Sequence, residues 1–146
     1  MRCLVGLVFF VFSVAAGAAE GKSYLCIADA ATGFYFDEDD KKWKQTIYSV
    51  SSNKYVLAPS KVEGFKMGMT RVGEDFPLVN CKGDFYYVEE RGPYLHCPKS
   101  EPAFYFNGKN LRYELWSTIG YAGLPSEQYK EGKHPPFIEI GKCSPL

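Results

Sequence analysis

The cysteines place the strongest constraint on what this chain can fold into. The sequence has five cysteines, and Cys3 lies in an N-terminal apolar segment with the features of an export signal. Removal of that segment leaves an even set, Cys26, Cys81, Cys97 and Cys143. An even number of cysteines behind an export signal is typical of disulfide-bonded secreted domains. We therefore expect two disulfides and no free thiol.

Four cysteines allow three pairings, and the sequence alone leaves all three open. We favour Cys81–Cys97 together with Cys26–Cys143. The residues between Cys81 and Cys97 read as strand, turn and strand, with the turn at 90–93, so folding back would bring these two cysteines together. The second pair would join the first strand to the last. A zinc site is disfavoured because closely spaced ligand pairs such as C-x-x-C are absent.

The first nineteen residues predict a cleaved signal peptide. Arg2 provides the positive start, residues 4–14 form the apolar core, and the small residues 15–19 provide the cleavage site. The apolar core is shorter than the roughly 20 residues that span a bilayer. We expect cleavage after Ala18 or Ala19 and a single domain over 20–146. An uncleaved N-terminal anchor is the alternative.

The charge balance argues against two classes of partner. The sequence has 17 basic and 17 acidic residues, and loss of the signal removes only Arg2, which leaves 16 basic residues. Such a chain has no electrostatic footprint for nucleic acid or an anionic membrane. We therefore expect no nucleic-acid partner and a mature form that is not embedded in a membrane.

The composition and spacing of apolar runs predict an all-β domain. Eleven Phe and eleven Tyr are residues that suit half-buried strands. Gly and Pro punctuate the chain at intervals of roughly eight to twelve residues, as in sandwiches and barrels. We expect a mainly antiparallel, disulfide-bonded sandwich or barrel, with at most a short helical turn at 125–132. The predicted strands are 24–27, 33–36, 43–50, 55–58, 65–70, 85–88, 94–97, 104–106, 111–116 and 137–140.

Asn107-Gly108 lies between two apolar runs and predicts a β-hairpin with a two-residue type I′ turn. In that register Phe106 pairs with Lys109, and Phe104 pairs with Leu111. Phe104, Phe106, Leu111 and Tyr113 would then share one buried face.

The sequence offers no established catalytic or metal-binding motif, so we predict no catalytic residue, no metal ligand and no cofactor. The acidic run 37–42 fails as an EF-hand loop, because Lys42 and Tyr48 occupy the positions that need Gly and Glu. His96 and His134 lack a partner at ligand spacing. The acidic pairs 74–75 and 89–90 are interpreted as solvated turn residues. The ligand-binding residues stay unknown at this stage.

Several segments resemble short exported bacterial proteins of unknown function. The resemblance lies in residues 26–29, 32–34 and Trp43, in 111–113 before 120–121, and in the ending 136–143. It implies a bacterial source and a periplasmic or secreted location. It transfers no activity and no site residue.

Three functions follow as hypotheses. The leading one is a non-catalytic binding or inhibitor-type protein that acts on an unknown protein or envelope component, by analogy of scale and fold alone. The second is a carbohydrate- or lipid-binding module. One exposed patch containing Trp43, Trp116 and Tyr121 would favour it, and burial of all three would argue against it. The third is an exported hydrolase.

Overall fold

The computed structural model describes residues 22–83, 85–90, 92–125 and 127–146. The predicted signal peptide therefore lies outside the described residues. The fold is all-β and antiparallel, with ten strands in one sheet and one short helix, so the predicted fold class is confirmed. No helix in the described ranges is long and apolar enough to cross a membrane.

The strands in chain order are β1 (Tyr24–Asp37), β2 (Lys42–Tyr48), β3 (Lys54–Pro59), β4 (Met67–Arg71), β5 (Pro77–Cys81), β6 (Tyr86–Val88), β7 (Gly92–Cys97), β8 (Ala103–Asn107), β9 (Arg112–Ser117) and β10 (Phe137–Pro145). The helix α1 (Ile119–Ala122) follows β9. The spatial order is β5-β4-β3-β1-β10-β9-β8-β7-β6, and β2 pairs with β1 beside this path.

Strand β1 organises the sheet because it is long enough to have three partners. It pairs with β10 along one edge, while the other edge pairs with β3 near its start and with β2 near its end. The register against β10 shifts between Ala28 and Ala30, which marks a bulge at Asp29. A Cβ on Gly33 would collide with the carbonyl oxygen of Pro136, so glycine allows this close approach.

The sheet curls so that its two halves pack against each other. Strands β1 and β8 are separated by β10 and β9 in the sheet, yet the rings of Tyr24 and Phe106 lie 5.0 Å apart between centroids. Alternate residues along the strands face this interior, as the period of two requires. The buried core consists of Tyr24, Cys26, Tyr55, Leu57, Met67, Met69, Val79, Cys81, Leu95, Cys97, Phe104, Phe106, Tyr113, Leu115 and Cys143.

Both disulfides form with the pairing that the sequence favoured. Cys26 and Cys143 lie directly opposite each other on β1 and β10. Cys81 and Cys97 join β5 to β7, with their Cα atoms 5.1 Å apart. In the described chain no backbone ladder connects these two strands, so the second disulfide holds together parts of the sheet that hydrogen bonds leave unlinked.

The hairpin between β8 and β9 exists, but its predicted register is wrong. Phe106 pairs with Tyr113 and Asn107 pairs with Arg112, so the loop has four residues, 108–111. The side-chain oxygen of Asn107 accepts hydrogen bonds from the backbone of Lys109 and Asn110, which makes Asn107 the first residue of the turn. The positive φ falls on Leu111, at 58°.

Although the predicted register of the hairpin is wrong, its predicted buried face is largely confirmed. Phe104, Phe106 and Tyr113 are buried, and Leu111 packs against the core from a partly buried position. At the predicted helical turn, 125–132, the backbone nitrogens of Gln128 and Tyr129 donate to the Pro125 carbonyl oxygen, but the helix itself lies earlier, at Ile119–Ala122. Strand β5 was not predicted, whereas the charged tip at 37–42 does connect two paired strands.

Candidate functional site

A cavity of about 380 Å³ lies between the two halves of the curled sheet. Apolar side chains form most of its wall, and Glu139, Asn53 and Arg71 are the charged or amide groups that reach it. The lining residues are Ala31, Tyr48, Asn53, Tyr55, Arg71, Leu78, Pro102, Leu115, Pro135, Phe137 and Glu139. Ligand sites in proteins typically have this size and this mixture of apolar walls and few polar groups.

Glu139 faces the interior because of its position in β10. Phe137, Glu139, Gly141 and Cys143 alternate along one face of the strand, and the disulfide fixes Cys143 inside. Glu139 is consequently only 2% exposed. The two isoleucines between these residues point outwards, with Ile138 43% and Ile140 47% exposed. The polar residue is therefore inside and the apolar residues are outside.

Three neutral groups donate hydrogen bonds to the Glu139 carboxylate. The Tyr113 hydroxyl donates to Oε1 at 2.9 Å. The Tyr55 hydroxyl and the Asn53 side-chain amide donate to Oε2 at 3.3 and 2.5 Å. These donors come from β9, from β3 and from the turn before β3, so the carboxylate joins both halves of the sheet.

Burial and the nearby carboxylate both raise the pKa values of Tyr55 and Tyr113. Burial is the main cause that raises the pKa of Tyr55 to about 12, and the Glu139 charge adds to the effect. The pKa of Tyr113 is raised further for the same two reasons. A negative charge nearby disfavours the tyrosinate form. Both hydroxyls therefore keep their protons and act as hydrogen-bond donors at neutral pH.

Arg71 lies at the mouth of the cavity beside Tyr55, and its hydrogen bonding and positive charge act to lower the Tyr55 pKa. Its Cζ atom is 5.9 Å from the centre of the Tyr55 ring, and its Nη1 atom is 3.5 Å from an oxygen of Glu74. Among the described residues, no Lys, Arg or His nitrogen lies within 4.0 Å of the Glu139 carboxylate. The charge of Glu139 is thus hydrogen-bonded but has no ion-pair partner in the described chain.

A second surface carries a row of rings across β6, β7, β8 and β9, on the face opposite the core. We call Tyr86, Tyr94, Tyr105, His96 and Trp116 the outer aromatic row. Successive centroids in the row are 6.0, 5.1, 5.4 and 6.5 Å apart. A shallow groove of about 330 Å³ begins beside Tyr94 and Tyr105, and also contains Arg112 and Glu114.

The aromatic residues singled out from the sequence do not form one patch. Trp43 contacts Tyr121, with centroids 5.6 Å apart, and its indole nitrogen donates to Glu131 at 2.8 Å. Trp116 belongs instead to the outer aromatic row, where it stacks on His96. The three residues neither share one exposed patch nor are all buried, so they neither favour nor argue against a carbohydrate- or lipid-binding module.

The other residues considered from the sequence are surface residues in the structure. His96 and His134 are exposed, as are the acidic pairs 74–75 and 89–90. No group of three His, Cys, Asp or Glu residues able to hold a metal occurs in the described part of the chain.

Sequence reasoning missed Glu139, although a signal was available. Counting back in steps of two from Cys143, which was assigned to a core disulfide, puts Gly141 and Glu139 on the same inner face.

Comparison with known protein families, curated proteins and solved structures finds no match to this chain. The candidate site therefore rests on its own geometry.

Proposed function

We propose that this is an exported, non-catalytic binding protein that holds a small organic molecule in the Glu139 cavity. One observation carries the proposal, which is a buried carboxylate that lines an otherwise largely apolar cavity. Buried acidic groups in clefts are concentrated at functional sites, since burial of a charge without a functional gain is unfavourable.

Two features support the proposal. The two disulfides fit an oxidising compartment and hence export. In addition, Glu139 is the one acidic side chain among the described residues that line the cavity. Glycoside hydrolysis normally uses a pair of carboxyl groups. The composition of the wall therefore supports binding ahead of the hydrolase hypothesis, to which we assign no residues.

Cavity filling tests the proposal. Ala31 lines the cavity, and its neighbour Ala30 is exposed. We expect ligand-observed NMR with a library of small organic compounds to detect binders of the mature protein. Ala31→Leu should remove this binding by occupying the cavity, and Ala30→Leu should keep it. Binders that are insensitive to Ala31→Leu, or a library without binders, would contradict the proposal.

The outer aromatic row supports carbohydrate binding as a second candidate function. Aromatic rings offer apolar surfaces to the C–H faces of sugars, and the Arg112 and Glu114 side chains in the adjoining groove can bond sugar hydroxyls. A glycan array should then show signals that Trp116→Ala weakens. Tyr87→Ala is the matched control, because Tyr87 is the exposed aromatic residue next to Tyr86 but lies outside the row. Signals that both variants lose equally would contradict this candidate.

A further inference from the structure

The hydrogen bonds of Glu139 leave one acceptor position open. An ionised carboxylate has about four lone-pair sites, two on each oxygen. Among the described residues, Oε2 accepts from Tyr55 and Asn53, whereas Oε1 accepts from Tyr113 alone. The remaining site is therefore on Oε1, in a side chain that lines the cavity. A ligand in the cavity can complete the carboxylate by donating one hydrogen bond.

In the described part of the chain, no cation forms an ion pair with Glu139 inside the cavity either. All three donors are neutral groups, and the guanidinium of Arg71 is at the mouth with Glu74. Hydrogen bonds from neutral donors reduce the cost of burying a carboxylate, and an opposite charge reduces it further. A hydroxyl ligand would fill the open acceptor site but would leave the charge unmatched. A cationic ligand would fill the acceptor site and would also balance the charge.

The walls set the shape of the rest of the ligand. Leu78, Leu115 and Phe137 provide apolar surface, and Pro102 and Pro135 add rigid apolar edges. The Tyr55 ring also lines the cavity, its hydroxyl bonds the carboxylate, and aromatic rings attract cations. The site is thus apolar around one negatively charged end.

From this arrangement we infer that the natural ligand is an organic amine, with a compact apolar body against the cavity walls and a protonated nitrogen that donates to the Glu139 carboxylate. The inference rests on the proposed function, because it specifies the ligand of the same cavity. The inference also predicts that Arg71 weakens amine binding, because its positive charge at the mouth of the cavity repels the ligand nitrogen.

The decisive measurement compares three probes of matched shape by isothermal titration calorimetry at neutral pH. They are 4-phenylbutylamine, 4-phenylbutanol and 4-phenylbutyrate, which differ in the charge of one end. We expect the amine to bind the mature protein at least about ten-fold more tightly than the alcohol, and the acid to bind most weakly. This factor corresponds to about 1.4 kcal/mol, close to the lower end of the range for hydrogen bonds to charged groups.

Two variants assign the preference to residues. Glu139→Gln keeps the shape of the side chain and removes its charge, so the amine should fall to the affinity of the alcohol. Arg71→Gln should strengthen amine binding. The comparison of probes on the unsubstituted protein does not depend on whether either variant folds.

The outcomes separate this inference from the proposed function. If amine and alcohol bind equally and Ala31→Leu abolishes the binding of both, the cavity binds ligands but the inference that the natural ligand is a cation is wrong. Tighter binding of the acid would also overturn the inference and would point to Arg71 as the recognition group. If none of the probes and no library compound binds, the proposed function itself fails.

Discussion

The two buried tyrosines beside Glu139 predict that the protein loses stability at alkaline pH. The ordinary pKa of tyrosine is 10.0, and burial together with the Glu139 charge raises that of Tyr55 to about 12 in the folded state. Between these values the unfolded chain binds fewer protons than the folded chain. The contribution of Tyr55 to stability is therefore constant below about pH 10, falls as the pH rises through the folded pKa, and levels off above it.

The size of this loss follows from the same two pKa values. At pH 11 an unfolded tyrosine is mostly ionised and folded Tyr55 is mostly protonated, which costs about 1.4 kcal/mol of unfolding free energy. Tyr113 adds a loss of the same sign, because its pKa is also raised. Since small domains have unfolding free energies of roughly 5–15 kcal/mol, the effect is measurable.

Urea unfolding followed by far-UV circular dichroism at pH 8 and pH 11 measures the effect. Tyr55→Phe should lower stability at pH 8 by about 1 kcal/mol, through the lost hydrogen bond to Glu139. Its further fall between pH 8 and pH 11 should be smaller than that of the unsubstituted protein by about 1.4 kcal/mol. Tyr87→Phe, at a side chain 73% exposed, is the control and should keep the full fall. Equal falls in all three proteins would refute the reasoning.

Three further predictions concern the core, the turns and maturation. Phe106→Ala should lower the unfolding free energy by about 3–5 kcal/mol in urea titrations, because the ring is fully buried, whereas Phe76→Ala at an exposed site should change it by no more than about 0.5 kcal/mol. Gly92→Ala should lower the melting temperature more than Gly108→Ala, since Gly92 has φ 90° and Gly108 does not have a positive φ; the opposite order would contradict the turn geometry. Intact-mass analysis of exported protein should show an N-terminus at Ala19 or at the next residue, and a retained first or second residue would contradict the signal peptide.

The local features of the sequence predicted most of the strands and turns. The charged run at 37–42 separates two aromatic-rich segments, and these form the β1–β2 hairpin. Segments 24–27 and 33–36 were predicted as separate strands but belong to β1, because the small residues between them continue the pairing around a bulge. Strand β5 was not predicted, since Pro77 and Asn80 interrupt its apolar pattern.

The sequence indicates the inner-face position of Glu139 only through its spacing from Cys143, and the rest of the candidate site depends on contacts between distant strands. Isoleucines alternate with Glu139 in β10, so hydrophobicity alone would place the isoleucines inside. Pairing with β1 and β9 instead places Glu139 inside and the isoleucines outside, because the inner face is already set by Cys143 and by the core residues of the neighbouring strands. The row formed by His96 and Trp116 likewise appears only once the register of three strands is known. Spacing from Cys143 indicates the face on which Glu139 lies, but it does not contain the strand pairings that form the outer aromatic row or bring the hydrogen-bond donors to Glu139.

The pairing of β1 with β10 sets the time at which this protein can fold. Tyr24 lies opposite Pro145, and the disulfide between the same strands spans 117 residues of sequence. A growing chain cannot complete its central pairing until β10 has been made, because β10 separates β1 from β9 in the sheet. Pairing between such distant segments is intrinsically slow. The central part of the sheet is therefore completed late, only after β10 has been made.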